Sequence, residues 1–215
     1  MSHDSQLQKA VLAELDWEPS VTAAHIGVTA SGGVVTLTGH VQSYAEKHAA
    51  ETATARVKGV KAVAEELEVR LAMDTNRGDD AIAAAAVDRL AWDVSVPYDS
   101  IKVKVEKGWV TLSGQVDWWY QKDAAEQDVR RLHGVLGVSN QTTIKPKVNA
   151  MGLSDDIKLA LHRSWFDPNA IHVNADGGTV RLSGTVHTMH DRQVAAETAW
   201  AAPGATYVEN NIAVV

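Results

Sequence analysis

The sequence predicts an α+β fold built three times over, as tandem small units of order α-β-β-α-β. Three observations carry this. The stretches "GGVVTLTGHV" (32–41), "KGWVTLSGQV" (107–116) and "GGTVRLSGTV" (177–186) share the pattern x-G-x-V-x-L-[ST]-G-x-V. The repeat glycines Gly39, Gly114 and Gly184 stand 75 and 70 residues apart, a period that divides the 215 residues into three units. Each unit also opens on a helical period and passes to strict alternation.

The opening helices are read from Leu7, Val11 and Leu15; Ile82, Ala86 and Leu90; and Ile157, Leu161 and Trp165, all at i, i+4, i+8. They are expected over roughly 4–16, 79–92 and 154–165, with Ser154 as an N-cap and Pro19, Pro97 and Pro168 as stop signals. A first strand follows with Ile26, Val28 and Ala30; Ile101, Val103 and Val105; or Ile171, Val173 and Ala175, each set beginning 13 residues before its repeat glycine. "SGG", "EKG" and "DGG" then supply the glycine of a tight hairpin.

In the second strand Val35, Leu37, Gly39 and Val41 and their counterparts lie two apart and so share a face. A glycine in such a row implies close approach of another backbone, expected to be the following helix. Those helices, near 43–58, 118–133 and 188–201, carry small residues such as Ala49, Ala50 and Ala53. Gly59, Gly134 and Gly204 are read as their ends, before a last alternating strand. Strands one and two are then antiparallel and two and three parallel, a three-stranded mixed sheet with both helices on one face. The other face is polar, with His25, Thr36 and Thr38; Lys102, Lys104, Thr111 and Ser113; His172, Asn174, Arg181 and Ser183.

The units are placed at 1–73, 74–150 and 151–215. Domains this small bury little surface alone, so packing between units or between copies of the chain is expected. A net charge of -7 argues against nucleic acid. The middle unit, with 11 acids against 10 bases, is the least acidic. With no cysteine there is no disulfide, thiolate metal site or Cys nucleophile. No run of about 18 apolar residues is present to span a bilayer, and the N-terminus lacks the features of a secretory signal. The expected location is the cytoplasm as written, or the periplasm if a leader has been removed.

Together the motifs resemble the BON domain, a transport-associated module of OsmY-like proteins, in three copies. The resemblance rests on the helix, an [FW]-D-P or equivalent, I-x-V, G-x-V-x-L-[ST]-G-x-V, an Ala-rich helix and G-V-x-x-V-x-N. The third unit fits best, with "FDPNAIHVNADGGTVRLSGTV" and "GATYVEN"; the first departs at Glu65, where the others have Asn140 and Asn210. The resemblance implies osmotic or envelope stress and binding of phospholipid or membrane surfaces. In one architecture it implies potassium sensing.

No enzyme is expected. Ser113 and Ser183 sit in "LSG", not in a nucleophile elbow, and no base recurs with them. His187 and His190, at i, i+3, supply too few nitrogens for a metal site, so no metal and no cofactor are expected. Aligning the units makes Trp17, Trp92 and Trp165, and likewise Tyr44, Trp119 and Met189, core plugs. Trp109 has Val34 and Thr179 as equivalents, Trp118 has Ser43 and Thr188, and Tyr120 has Ala45 and His190. These unmatched aromatics, with Lys102, Lys104 and Lys107, form the candidate interface. For Trp109 and Trp118 burial between units is weighed ahead of contact with a headgroup layer or protein. The function expected is a non-enzymatic binding protein for anionic phospholipid or a stress-related protein partner. The alternative is a cytoplasmic scaffold that responds to potassium or self-associates as a homo-oligomer.

Overall fold

In the computed structural model of the chain, residues 3–71, 78–146, 152–163, 167 and 170–215 are described. The first unit comprises α1 (His3–Trp17), β1 (Ile26–Ser31), β2 (Val34–Val41), α2 (Tyr44–Arg56) and β3 (Ala62–Val69). The second comprises α3 (Asp79–Trp92), β4 (Ile101–Glu106), β5 (Trp109–Val116), α4 (Trp119–Arg130), β6 (Gly137–Asn140) and β7 (Thr143–Ile144). The third has α5 (Leu153–Arg163), β8 (Ile171–Asp176), β9 (Thr179–Val186), α6 (Met189–Trp200) and β10 (Tyr207–Val214). The α-β-β-α-β order is observed three times.

In every unit the motif strand is central, antiparallel to the strand before it and parallel to the one after it. β6 and β7 continue one line along β5, so the middle sheet counts four strands. Each unit has its own core. In the first, Leu7, Val11 and Leu15 of α1 and Ala50 and Ala53 of α2 meet Val28, Val35, Leu37 and Leu67. Both helices therefore lie on one face.

The repeat glycines have a different cause from the one expected. Gly39, Gly114 and Gly184 hold φ of +117°, +138° and +131°, and their positions are exposed or half-exposed, not in the core. A Cβ on any of them would strike the carbonyl oxygen of the residue that enters the first strand, His25, Ser100 or Ala170. The close backbone is thus the strand entry, not the helix. That carbonyl is fixed in the second and third units because it accepts from Gln115 N (3.4 Å) and Thr185 N (3.1 Å).

Two terminal assignments change as well. α5 starts at Leu153 and its first amides reach the Gly152 carbonyl, while the Ser154 hydroxyl donates to Val173 O (3.0 Å), tying helix to strand and not capping. The helices α2, α4 and α6 stop at Arg56, Arg130 and Trp200, three or more residues short of Gly59, Gly134 and Gly204, which sit with positive φ in the turns that follow. Ser43 and Thr188 do cap α2 and α6, accepting from Glu46 N and Asp191 N.

The plugs at the start of the second helices serve neighbouring units. Tyr44 packs on the core of the second unit, with its hydroxyl near the Val138 backbone. Met189 packs on the core of the first, where α2 and α6 lie in contact. Burial pushes the Tyr44 phenol above its ordinary range, as expected of a ring lodged between units. No helix among the described residues is long and apolar enough to cross a membrane.

Candidate functional site

The six residues singled out in the middle unit fall into two sets. Lys102, Lys104 and Glu106 of β4 alternate outward, and their partners across the strand pair are Ser113, Thr111 and Trp109. Lys104 is ion-paired with Glu106 at 2.9 Å, which leaves Lys102 as the strand's unpaired cation among the described residues. Trp109 is not buried between units. It is 51% exposed, and its ring lies over Gly137 on the adjacent strand, where any Cβ would run into the indole. Lys107 stands at the hairpin tip with φ +51°, and Asp79 at the start of α3 accepts from both Lys107 N (2.7 Å) and Gly108 N (2.8 Å).

Trp118 and Tyr120 belong to the opposite end. β5 takes seven steps from Trp109 to Val116, so at about 3.3 Å per residue its far end lies roughly 23 Å from Trp109, and Trp118 and Tyr120 follow that end in sequence. Trp118 is half-buried as the N-cap of α4, and its backbone N–H donates to Gln121 Oε1 (3.0 Å). Tyr120 is 54% exposed.

At that same end the chain leaves α3 and enters β4, since Ser100 O accepts from Gln115 N. Here stand three side chains that sequence reasoning missed: Trp92 (85% exposed), Val94 (101%) and Tyr98 (90%). Val87 on α3 is exposed beside them. Trp92 and Trp17 (84% exposed) are not core plugs. Each sits two residues past the last buried leucine of its helix, Leu90 or Leu15, and two residues at about 100° each turn a side chain to the opposite face. Trp165 lies outside the described residues.

The loop that carries these groups is well tied. Val96 is buried as its anchor, Asp93 Oδ1 accepts from Ser95 N (2.7 Å), and the Ser100 hydroxyl donates to Pro97 O (2.7 Å). Arg89 Nε donates to Asp128 Oδ1 (2.8 Å), bracing α3 on α4. Burial pushes the Asp128 carboxyl up, whereas the Ser95 amide holds that of Asp93 down. Val94 and Tyr98 are thus exposed apolar side chains on a loop that its own hydrogen bonds hold.

Elsewhere the chemistry is sparse. Ser113 faces Lys102, and Ser183 faces His172, whose ring makes no hydrogen bond among the described residues. No group of three metal-capable side chains, with His187 and His190 or without them, is present among the described residues.

The triplicate α-β-β-α-β unit and its motif are matched by the BON domain family model over residues 3–70, 78–146 and 152–215. The chain belongs to the BON domain family. Among curated proteins it is similar to osmotically-inducible protein Y of Escherichia coli (strain K12), at 34% identity over 146 residues, covering 66% of this chain and 73% of that one. Two solved structures of CdsD, described as a structural protein of the Type III secretion system of Chlamydia trachomatis, are aligned over 98% and 97% of this chain and 92% and 97% of their own. Both are 16% identical with a TM-score of 0.28.

Proposed function

We propose that this BON domain protein is a non-enzymatic binding protein of the osmotic-stress response, and that its middle unit docks on a phospholipid surface. The stress context is carried by the similarity to osmotically-inducible protein Y. The docking is carried by one observation: Trp92 at the end of α3, and Val94 and Tyr98 on the loop that follows, stand almost wholly exposed, and that loop is held by its own hydrogen bonds. Contiguous apolar groups of this size on a water-facing corner mark an interaction site. Indole and phenol rings partition to the headgroup layer, where one end is dry and the other wet.

Tyr120, exposed in α4 beyond the end of β5, and Lys102, the second residue of β4 after the loop, belong to the same end of the sheet. The outer sheet face with Trp109, Lys104 and Lys107 is turned to a different part of the surface and supplies the second arm of the test. Half-burying a ring of about 160 Å² at about 25 cal/mol per Å² contributes roughly 2 kcal/mol. Co-sedimentation with phosphatidylglycerol vesicles measures it. Trp92→Ser and Tyr98→Ser are each expected to weaken recovery about thirtyfold, with Trp109→Ala close to wild type. Recovery unchanged in a Trp92→Ser/Tyr98→Ser double variant overturns the proposal.

A further inference from the structure

A second site lies between units. A cleft of about 730 Å³ separates the first and second units. Ser43, Glu46 and His48 of the first unit face Arg130, Arg131 and His133 of the second across it. Its apolar lining comes from alanines of α2 and from Leu132 and Val135. Two arginines and two histidines therefore share a pocket with one carboxylate. That carboxylate is already engaged, because Glu46 accepts from Thr22 N and from Gln42 N, both at 2.7 Å.

Among the described arginines outside this cleft, all but Arg163 at the end of α5 have a partner for the guanidinium. Arg56 holds Glu14 and Glu18, Arg70 holds Glu68, Arg89 holds Asp128 and Arg181 holds Glu209. Arg192 donates to the Asn210 carbonyl. The guanidinium groups of Arg130 and Arg131 make no ion pair or hydrogen bond with any described residue. Attraction to the C-terminal dipole of α4 explains one cation there. It does not explain a second beside it, or His133 and His48 in the same cleft. The local field is felt: burial, and then the Arg130 charge, lower the pKa of His48. The Ser43 hydroxyl, which accepts from Glu46 N, still has its own proton to give.

We propose that this inter-unit cleft binds the phosphate group of a small organic ligand, with Arg130 and Arg131 as the charged ligands and His133 and the Ser43 hydroxyl as further donors. Guanidinium forks match phosphate oxygens in pairs, and two forks with two further donors exceed what the two oxygens of a carboxylate can use. The apolar lining receives the organic part. A free phosphate ester and a lipid headgroup present the same chemistry. The site is separate from the aromatic corner of the middle unit, and either can fail without the other.

The experiment is an NMR titration of the full chain, read on the His48 and His133 ring protons, with inorganic phosphate, glycerol 3-phosphate, succinate and sodium chloride at matched ionic strength. The expected result is a saturable shift with glycerol 3-phosphate. It weakens at least about tenfold in Arg130→Gln/Arg131→Gln, the loss of charged hydrogen bonds, and survives in Trp92→Ser/Tyr98→Ser. A thermal melt shows whether the arginine variant remains folded, and Arg130→Lys/Arg131→Lys keeps the charge while losing the fork. Phosphatidylglycerol vesicles form a further arm: a response to vesicles alone, lost with the arginines, assigns the phosphate to a headgroup. Shifts equal in sodium chloride, equal in the glutamine variant, or stronger with succinate than with the phosphate ester overturn the proposal.

Discussion

Replacing Gly184 by alanine separates two costs that a positive φ usually confounds. Gly184 has φ +131°, and a Cβ there would lie deep inside the contact distance of the Ala170 carbonyl oxygen. Gly177, in the hairpin of the same unit, has φ +53° with nothing within 4 Å of an added Cβ. Gly177→Ala therefore carries only the left-handed strain, about 1 kcal/mol. Gly184→Ala carries comparable or greater strain plus a collision with backbone. That carbonyl cannot swing away cheaply, because it accepts from Thr185 N and its own residue's N–H donates to Asp167 O. The sum is about 3–5 kcal/mol. Urea unfolding followed by tryptophan fluorescence measures it, with a midpoint in heat lowered by about 10 °C or more. If both variants lose stability equally, to within about 1 kcal/mol, the strand-entry carbonyl is not what makes this position glycine.

Other substitutions address the packing. Tyr44→Ala removes a ring that the first unit lodges in the second and is expected to cost about 3 kcal/mol. It should also split one melting transition into two, as calorimetry would show. Trp92→Ala and Trp17→Ala are expected to stay within about 0.5 kcal/mol of wild type, against the 3–5 of a core tryptophan. Asp128 is 6% exposed and burial raises its pKa, so the folded state holds its proton more tightly than the unfolded state. Its contribution is therefore most favourable in acid and is lost as pH rises through the unfolded value of 3.8 towards the folded one. Asp128→Asn removes that loss and leaves Arg89, half exposed, to water. The variant should equal or exceed wild type in denaturant midpoint at pH 7; a deficit above about 1 kcal/mol would show that the Arg89 pair outweighs burial.

The fold was legible because its signals are local and said three times. Alternation in β2, β5 and β9, the hairpin glycines and the helical period each follow from backbone geometry, which the residues themselves impose. Side-chain direction at element ends was legible in principle. Trp17 and Trp92 are two positions beyond the last buried leucine, whereas Trp165 is four beyond Leu161, so the three tryptophans were never equivalent. Grouping them as plugs hid the most exposed tryptophan of the middle unit. Which backbone crowds Gly39, Gly114 and Gly184 was not legible, since a glycine marks an approach and not the identity of what approaches. Nor could spacing foretell that Tyr44 and Met189 serve neighbouring units, because packing between units depends on their relative orientation.

That last point bears on how the aromatics of a repeat protein should be weighed. A repeated large residue reads as internal core and an unrepeated one as interface, and in this chain both inferences half fail. Tyr44 and Met189 occupy one repeat position, and both cross to another unit. Trp109 is unrepeated, yet it covers a glycine of its own sheet. Repetition shows only that a position meets the same surroundings in each copy, and in a chain of packed units those surroundings include the neighbour. Exposure decides function better than singularity does. By that measure the α3–β4 corner, with Trp92, Val94 and Tyr98, outranks the outer sheet face that the lysines first recommended. The inter-unit cleft becomes possible for the same reason: only units held by plugs such as Tyr44 keep Ser43 of one across from Arg130 of the next.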